Sequence, residues 1–211
     1  MKLNYGQHEF IMHPSGALYW PSKNTVLIAD VHFGKINHFR KHGSALPNEV
    51  GLENFRKLNQ ILDQFQPDEV IFLGDLFHST QNKDWDRFKT WIDLKQIKIT
   101  LVVGNHDIIP QYLFEELGIK VLQELNYGTL FLTHHPEVKK GFFNICGHVH
   151  PGYRLTGKGR QQLKLSCFYK KEKQLILPAF GLFTGHYLIE PEDDEDVYVV
   201  SEDLVLSIRS T

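Results

Sequence analysis

The sequence predicts an α/β fold in which two facing mixed sheets form the inner layers of a four-layer α/β/β/α sandwich, with helices outside. Three observations support this prediction. Short runs that are apolar at nearly every position recur along the chain, as is typical of strands buried on both faces. Helical patterns separate the first three runs. The second half of the chain carries further strands with short turns and little helix, which indicates a second sheet.

The first half of the chain predicts the order strand, helix, strand, helix, strand. Its strands are TVLIA (25–29), EVIFL (69–73) and ITLVV (99–103). Between them, apolar residues recur every three or four positions over 52–65 and over 85–92, which indicates two amphipathic helices. This is the βαβ pattern of a parallel sheet with right-handed crossovers.

The chain after Thr129 predicts a largely antiparallel or mixed sheet. Its strands are TLFLT (129–133), FFNIC (142–146), QQLKLSCF (161–168), QLIL (174–177), VYVVS (197–201) and LVLSI (204–208). The acidic segment 190–196 predicts a solvated turn between strands. No linker or repeat divides the chain, so we expect one domain over 1–211.

Composition excludes several classes of protein. With 42% hydrophobic and 23% charged residues, disorder and membrane insertion are disfavoured. The net charge of −2 gives no global reason to bind a polyanion, so an anionic substrate must be held locally. The two cysteines do not have a zinc-finger spacing. The sequence shows neither a signal-peptide pattern nor an apolar run of transmembrane length, and we expect a cytoplasmic protein.

Polar side chains directly follow five of the predicted strands. They are Asp30 and His32; Asp75; Asn105, His106 and Asp107; His134 and His135; and His148 and His150. Ligands of such sheets collect beyond the carboxyl ends of the strands, so the five loops can converge. Alternation along an extended chain would place Asp30 and His32 on one side, where both could hold a single ion.

The donor set in these loops indicates a metal site. Carboxylate and amide oxygens together with imidazoles suit manganese, iron, zinc or nickel. Two ions about 3.5–4 Å apart need a bridging group and about three further ligands each, which this inventory supplies. A single histidine after a strand is more often a structural residue, but the joint pattern would require five separate accidents.

The five blocks D-x-H, G-D, G-N-H-[DE], H and G-H-x-H occur in this order, and the sequence thereby resembles the calcineurin-like metallophosphoesterases. The resemblance implies two divalent ions, with manganese preferred. By this resemblance, one ion has the ligands Asp30, His32 and His150, the other has Asn105, His134 and His148, and Asp75 bridges them. His134 is chosen because it directly follows the strand, and His135 stays open as an alternative that faces the substrate.

A hydrolytic mechanism follows from these charges. Two cations would lower the pKa of a water or hydroxide held between them and would neutralise phosphate oxygens. His106, assigned to neither ion, is the predicted general acid for the leaving oxygen. Asp107 could fix the tautomer of His106 by accepting its other ring N–H. Capping of a helix near Pro110 explains Asp107 equally well.

A closer resemblance, to the bacterial DNA-ligase-associated metallophosphoesterases, rests on longer segments. They are ADVHFGK, FRKHGSALP, GDLFHS, GNHD, HHPE, ICGHVHPGYRL and PAFGLFTG. This resemblance implies a phosphodiesterase or endonuclease that acts on nucleic acid in DNA repair, in association with a DNA ligase and a helicase-like protein.

Candidate substrate contacts are Lys35, Arg40, His78, His135 and Arg154. Basic segments follow the first and last metal motifs and could hold phosphates, although solvated loop charge would look the same. Phe33, Phe39, Phe77 and Tyr153 could stack on bases.

Two alternatives to this function remain open. One is a phosphomonoesterase or nucleotide pyrophosphatase that acts on a small substrate. The other is a non-catalytic scaffold of the same fold, which the intact ligand set disfavours.

Overall fold

The computed structural model describes residues 1–35, 51–78, 80, 82–182 and 184–208, except for the side chain of Arg160. Within these residues, seven strands form the first sheet, in the order β1 to β7. They are β1 (Lys2–Tyr5), β2 (His8–Met12), β3 (Leu18–Trp20), β4 (Thr25–Ile28), β5 (Glu69–Leu73), β6 (Lys98–Val102) and β7 (Lys120–Leu122). The pairs from β1 to β4 are antiparallel and those from β4 to β7 are parallel, so the sheet is mixed.

Three described α-helices pack on one face of this sheet. They are α1 (Glu53–Phe65), α2 (Lys83–Lys95) and α3 (Gln111–Glu115). Leu58 of α1 and Phe88 of α2 share a hydrophobic core with Val26 of β4 and Phe72 of β5. Because strand side chains alternate between faces, the neighbours of these strand residues point to the opposite side of the sheet.

The second sheet lies against that opposite side. Its strands are β8 (Leu125–Tyr127), β9 (Leu130–Leu132), β10 (Phe143–Cys146), β11 (Pro151–Thr156), β12 (Gln162–Lys171), β13 (Gln174–Ile176), β14 (Tyr187–Leu188), β15 (Asp196–Val200) and β16 (Val205–Ile208). The order is β14-β11-β12-β13-β10-β9-β8, and β15 pairs with β12 and β16. Parallel and antiparallel pairs both occur. A core that includes Leu27, Ile71, Leu132 and Ile145 joins the two sheets.

The predicted α/β sandwich of two facing mixed sheets with helices outside is confirmed. In the described part of the chain the α-helices lie on the first sheet, whereas a smaller apolar cluster around Cys146 and Cys167 covers the outer face of the second. The turn predicted over 190–196 is found over 190–195, between β14 and β15, whereas Asp196 begins β15. None of the described helices has the length and apolar character needed to cross a bilayer.

Candidate metal centre

The loops that carry the predicted ligands meet at one edge of the sandwich. Parallel strands β4, β5 and β6 of the first sheet, and parallel strands β9 and β10 of the second, end at these loops. We call Asp30, His32 and His150 the first half-site, because one potential ligand atom of each lies within 4.8 Å of the others. We call Asn105, His134 and His148 the second half-site.

The first half-site contains buried acceptor atoms that protein donors do not satisfy. Asp30 Oδ1 lies 3.3 Å from His150 Nε2, and these two atoms and His32 Nδ1 have no hydrogen-bond partner among the described residues. The other oxygen of Asp30 accepts the backbone N–H of His148 at 2.9 Å. Because buried polar atoms are nearly always paired, the approach of Asp30 Oδ1 and His150 Nε2 without a hydrogen bond fits a cation held by both residues.

Asp75 lies between the two half-sites. Its Oδ2 is 3.3 Å from His32 Nε2, and its Oδ1 is 3.4 Å from His134 Nε2. Oδ1 also accepts the backbone N–H of His106 at 2.8 Å. Burial opposes ionisation of Asp75, but the contact with His32, the electrostatic influence of the His134 imidazole and the N–H donor together lower its pKa. A carboxylate that faces imidazoles on both sides can bridge two ions.

The second half-site presents donor atoms whose orientation is fixed. His134 Nδ1 donates to the carbonyl oxygen of Leu73 at 2.9 Å, so Nε2 is left with its lone pair toward the centre. That Nε2 lies 3.0 Å from Asn105 Oδ1 and 3.2 Å from His148 Nδ1. His135 is exposed, and its ring centroid lies 4.0 Å from that of His148. A potential ligand atom of His135 also lies within 4.8 Å of those of His134 and His148, so His135 stays open as an alternative ligand.

The backbone at the candidate ligands is unusual. Asp30, His32, Asp75, His148 and His150 all have φ between 51° and 67°, in the left-handed region that side chains with a β-carbon rarely adopt. Non-glycine residues in this region cluster at functional sites, where the surrounding structure enforces the strain. Asp30 and His32 converge as predicted, but the predicted cause, alternation along an extended strand, was wrong. They converge because β4 ends at Ile28 and both residues are left-handed.

Asp107 has contacts different from those expected. Its carboxylate accepts the backbone N–H groups of Gly104, Asp75 and Leu76 at 2.8–2.9 Å and that of Phe77 at 3.2 Å. The N-cap of α3 is Pro110, without a side-chain cap. Thus both expected contacts, with the His106 ring and with the helix, were wrong. Burial raises the pKa of Asp107 to about 6, and the backbone donors oppose that shift. Asp107 ties the Asp75 loop to the Asn105 loop.

A segment that follows β13 is hydrogen-bonded to the loop that carries Asp30 and His32 of the first half-site. We call residues 179–182 the strap. Its Phe180 N–H donates to the carbonyl oxygen of Ala29, and its Gly181 N–H to that of Asp30. A β-carbon on Gly181 would lie 2.2 Å from the carbonyl oxygen of Val31. Only glycine therefore allows the strap to pass this close to the metal loop.

Two residues of α1 hold the strap, and the sequence analysis missed both. Buried Asn54 donates to the carbonyl oxygen of Val31 at 3.0 Å and accepts the N–H of Leu182 at 3.2 Å. Lys57 donates to the carbonyl oxygen of Phe180 at 2.6 Å and lies 4.1 Å from its ring centroid. The sequence could have indicated Asn54, because it is a polar residue on the apolar face of the helix, four residues before Leu58.

Other predicted residues lie around the rim of the centre. The ring of exposed His106 lies 5.0 Å from that of His78 and 5.9 Å from that of His32. Burial lowers the pKa of half-buried Lys35, and the nearby carboxylates of Asp30 and Asp75 oppose that shift.

The remaining predicted contacts fall elsewhere. Arg154 is exposed on β11, and Arg40 and Phe39 lie outside the described residues. Base stacking by Phe33 and Phe77 was wrong, because both side chains are buried in the helix-side core.

The sequence matches a known family over most of its length. A sequence model of the calcineurin-like phosphoesterases matches residues 23–202, which include both half-sites. The chain belongs to this family. A search of curated proteins found no match.

The family member is also similar to solved structures. Nuclease MPE of Pseudomonas putida is 27% identical, with a TM-score of 0.83 over 99% of each chain. The phosphoesterase YfcE of E. coli is 12% identical, with a TM-score of 0.47 over 87% of this chain and 97% of that chain.

Proposed function

We propose that this phosphoesterase is a binuclear metal-dependent phosphodiesterase that acts on nucleic acid. The observation that carries the proposal is the placement of Asp75, whose two carboxylate oxygens face the imidazoles of two separate half-sites. Asp30, His32 and His150 would hold one divalent ion, Asn105, His134 and His148 would hold the other, and Asp75 would contact both. Manganese is the ion we propose, because the family resemblance implies it; the same nitrogen and oxygen donors also suit iron, zinc and nickel.

The bound ions would acidify a water and neutralise phosphate oxygens. Side chains of the protein would supply the proton for the leaving oxygen and the contacts with the substrate. His106 is exposed at the rim, and its backbone N–H is fixed by Asp75 Oδ1, so its ring can donate a proton to the leaving oxygen. His78, whose ring lies 5.0 Å from that of His106, and Lys35, which lies near the carboxylates of Asp30 and Asp75, would contact non-bridging phosphate oxygens.

The diester preference is supported by the similarity to the Pseudomonas putida protein, which is named a nuclease. An exposed leaving-group side, where His106 is reached from solvent, leaves room for a second ester substituent. A role in DNA repair, and association with a DNA ligase and a helicase-like protein, are part of the proposal and rest on the subfamily resemblance.

The test is hydrolysis of bis-p-nitrophenyl phosphate and of the mono-ester, with metal content measured on the same sample. We expect activity with Mn²⁺ and a preference for the diester. A preference for the mono-ester would replace the proposal with a phosphomonoesterase. Two bound ions without hydrolysis of any ester would indicate a scaffold.

His106→Ala sharpens this test. We expect a loss of about 10²–10⁴-fold in kcat on a diester with a poor leaving group, with metal content unchanged, because only the proton donor is removed. The loss on the p-nitrophenyl diester should be much smaller, since its leaving group hardly needs a proton. His13→Ala, whose ring binds Ser15 and Gln64 instead, is the control. Equal losses on the two diesters would exclude His106 as the acid.

A further inference from the structure

Strands β11 and β12 continue beyond the sheet as a two-stranded arm, which we define as residues 153–165. The partner of Arg154 across the arm is Lys164, and that of Leu155 is Leu163. Strand β14 pairs only with Pro151 and Gly152, and β13 and β15 pair with β12 beyond Ser166. In the described part of the chain, the arm is therefore paired only with itself.

The two faces of the arm differ in chemistry. Tyr153 and Leu165 are half-buried against the apolar cluster on the outer face of the second sheet. Arg154 and Lys164 have the opposite orientation, because side chains alternate along a strand, and both are exposed. The arm therefore presents a basic face to solvent, while Tyr153 and Leu165 on its other face anchor its base to the protein.

The arm begins three residues after the candidate ligand His150. Gly152, opposite Ser166, begins the basic face, and a β-carbon at Gly152 would lie only 2.7 Å from His186 Cβ. The His186 ring is 2.9 Å from Ser166 Oγ, and the next N–H, of Tyr187, donates to the carbonyl oxygen of His150. Arg154 is four residues from His150, about 13 Å along an extended chain.

The charge arrangement on this face is unfavourable in the free protein. Like charges directly opposite across an antiparallel pair destabilise it. Arg154 and Lys164 occupy such a pair, and neither has a carboxylate partner among the residues that the structure describes. A polyanion lying across the arm would turn this repulsion into two favourable contacts and would release its own counterions. A single phosphate group bound at the metal centre would be too far from Arg154 and Lys164 to make these contacts.

We propose that Arg154 and Lys164 form a phosphate subsite for the backbone of a nucleic acid strand whose scissile phosphate lies at the metal centre. This inference rests on the proposed function and narrows its substrate to polynucleotides. The two cations contact backbone phosphates and not base edges, so the subsite acts without sequence preference.

Binding without turnover tests the subsite directly. Fluorescence anisotropy of labelled 20-nucleotide single strands, DNA and RNA separately, is measured in EDTA for the wild type, Arg154→Gln, Lys164→Gln and the double variant. We expect each single change to weaken Kd about three- to tenfold, the double variant more, and the salt dependence of Kd to fall by about one per cation removed. Lys164→Arg should bind with a Kd near that of the wild type, because it keeps the positive charge.

Lys120→Gln is the matched control, because Lys120 is an exposed strand lysine at the amino end of β7, opposite to the metal edge. Its Kd should stay within twofold of the wild type. Wild-type Kd and salt dependence in the double variant would overturn the proposal. Equal losses for DNA and RNA would assign the subsite to either backbone, and a larger loss for one would assign it to that nucleic acid.

Hydrolysis separates this inference from the function on which it rests. With Mn²⁺, the double variant should lose at least five times more kcat/KM on the 20-nucleotide strand than on bis-p-nitrophenyl phosphate. Similar losses on both substrates would refute the subsite while leaving the phosphodiesterase intact. Absence of all hydrolysis in the wild type would instead refute the proposed function, and the anisotropy would still decide whether the arm binds a strand.

Discussion

The two half-sites of the metal centre differ in burial and in backbone support. Asp30 and His32 of the first half-site are 0% and 3% exposed, and the strap ties their loop to the protein. In the second, His134 is buried, but Asn105 and His148 are exposed. The first half-site is therefore suited to hold an ion in a fixed position, and the second can exchange ligands with solvent and substrate.

Backbone strain follows the same division. All three residues of the first half-site have positive φ, whereas in the second this holds for His148 but not for Asn105 or His134. Each such residue costs about 1–3 kcal/mol and persists only where its surroundings enforce it. The strap and Asn54 supply that enforcement at the first half-site. Its geometry therefore depends on distant residues, and that of the second depends more on the ligands themselves.

Asp75 lies between the two half-sites and faces both, so its replacement should weaken metal binding at both. For Asp75→Asn we expect metal content to fall from two ions per chain to below one. Diesterase activity should fall by about three orders of magnitude or more, because metal stabilisation of the transition state is worth several kcal/mol. Elemental analysis and kcat on bis-p-nitrophenyl phosphate measure both effects. Retention of two ions would show that Asp75 is not the bridge.

Removing one ligand at a time, from one half-site or the other, should show which ion each half-site holds. His150→Ala should keep the ion of the second half-site, and His148→Ala that of the first, each with about a hundredfold loss of activity. Because Asp30 and His32 are buried and His150 is half-buried, the ion that remains in the first half-site should resist a chelator longer. Manganese EPR should show isolated ions in both variants. Faster loss of the ion from His148→Ala than from His150→Ala would contradict the comparison drawn from burial.

The ligand residues could be predicted from sequence because each follows a strand that is apolar throughout. Runs such as EVIFL correspond to β5 without a change of boundary, and both long helices match the predicted periodicity. Strands β1 to β3 were missed, because they have only three to five residues each and their buried positions alternate with half-buried or exposed ones. Local pattern therefore predicts the continuously buried strands and misses the strands whose residues alternate in burial.

The support of the site could not be predicted from sequence spacing. Asp107 contacts a loop about thirty residues earlier in the chain, and Asn54 contacts Leu182. Such bonds depend on how the loops cross in three dimensions, which periodicity does not contain. The left-handed backbone of Asp30 and His32 was hidden for the same reason, since both residue types also occur in extended chain.

Gly181→Ala tests whether the strap supports the first half-site selectively. The added β-carbon would meet the carbonyl oxygen of Val31, so we expect a loss of about 1–3 kcal/mol in stability. Affinity for the ion of the first half-site should fall about 10–100-fold, as for other groups that orient ligands. Calorimetry with Mn²⁺ and thermal unfolding in EDTA measure these effects. Gly185→Ala, which has open space around its β-carbon, should resemble the wild type. Equal weakening of both ions would refute selective support.

The smallest expected effect concerns Lys57, which binds the strap from α1. Burial lowers the pKa of Lys57 to about 8 from its ordinary value of 10.5. The unfolded chain therefore binds more protons between these values, and the contribution of Lys57 to stability rises with pH through that window. Relative to Lys57→Met, the wild type should gain roughly 1–2 kcal/mol between pH 8 and 10.5. Urea unfolding at several pH values measures this difference, with Lys120→Met as the control. A difference independent of pH would show that the Lys57 ammonium is not held in a buried environment, and the strap would then depend on Asn54 and Gly181.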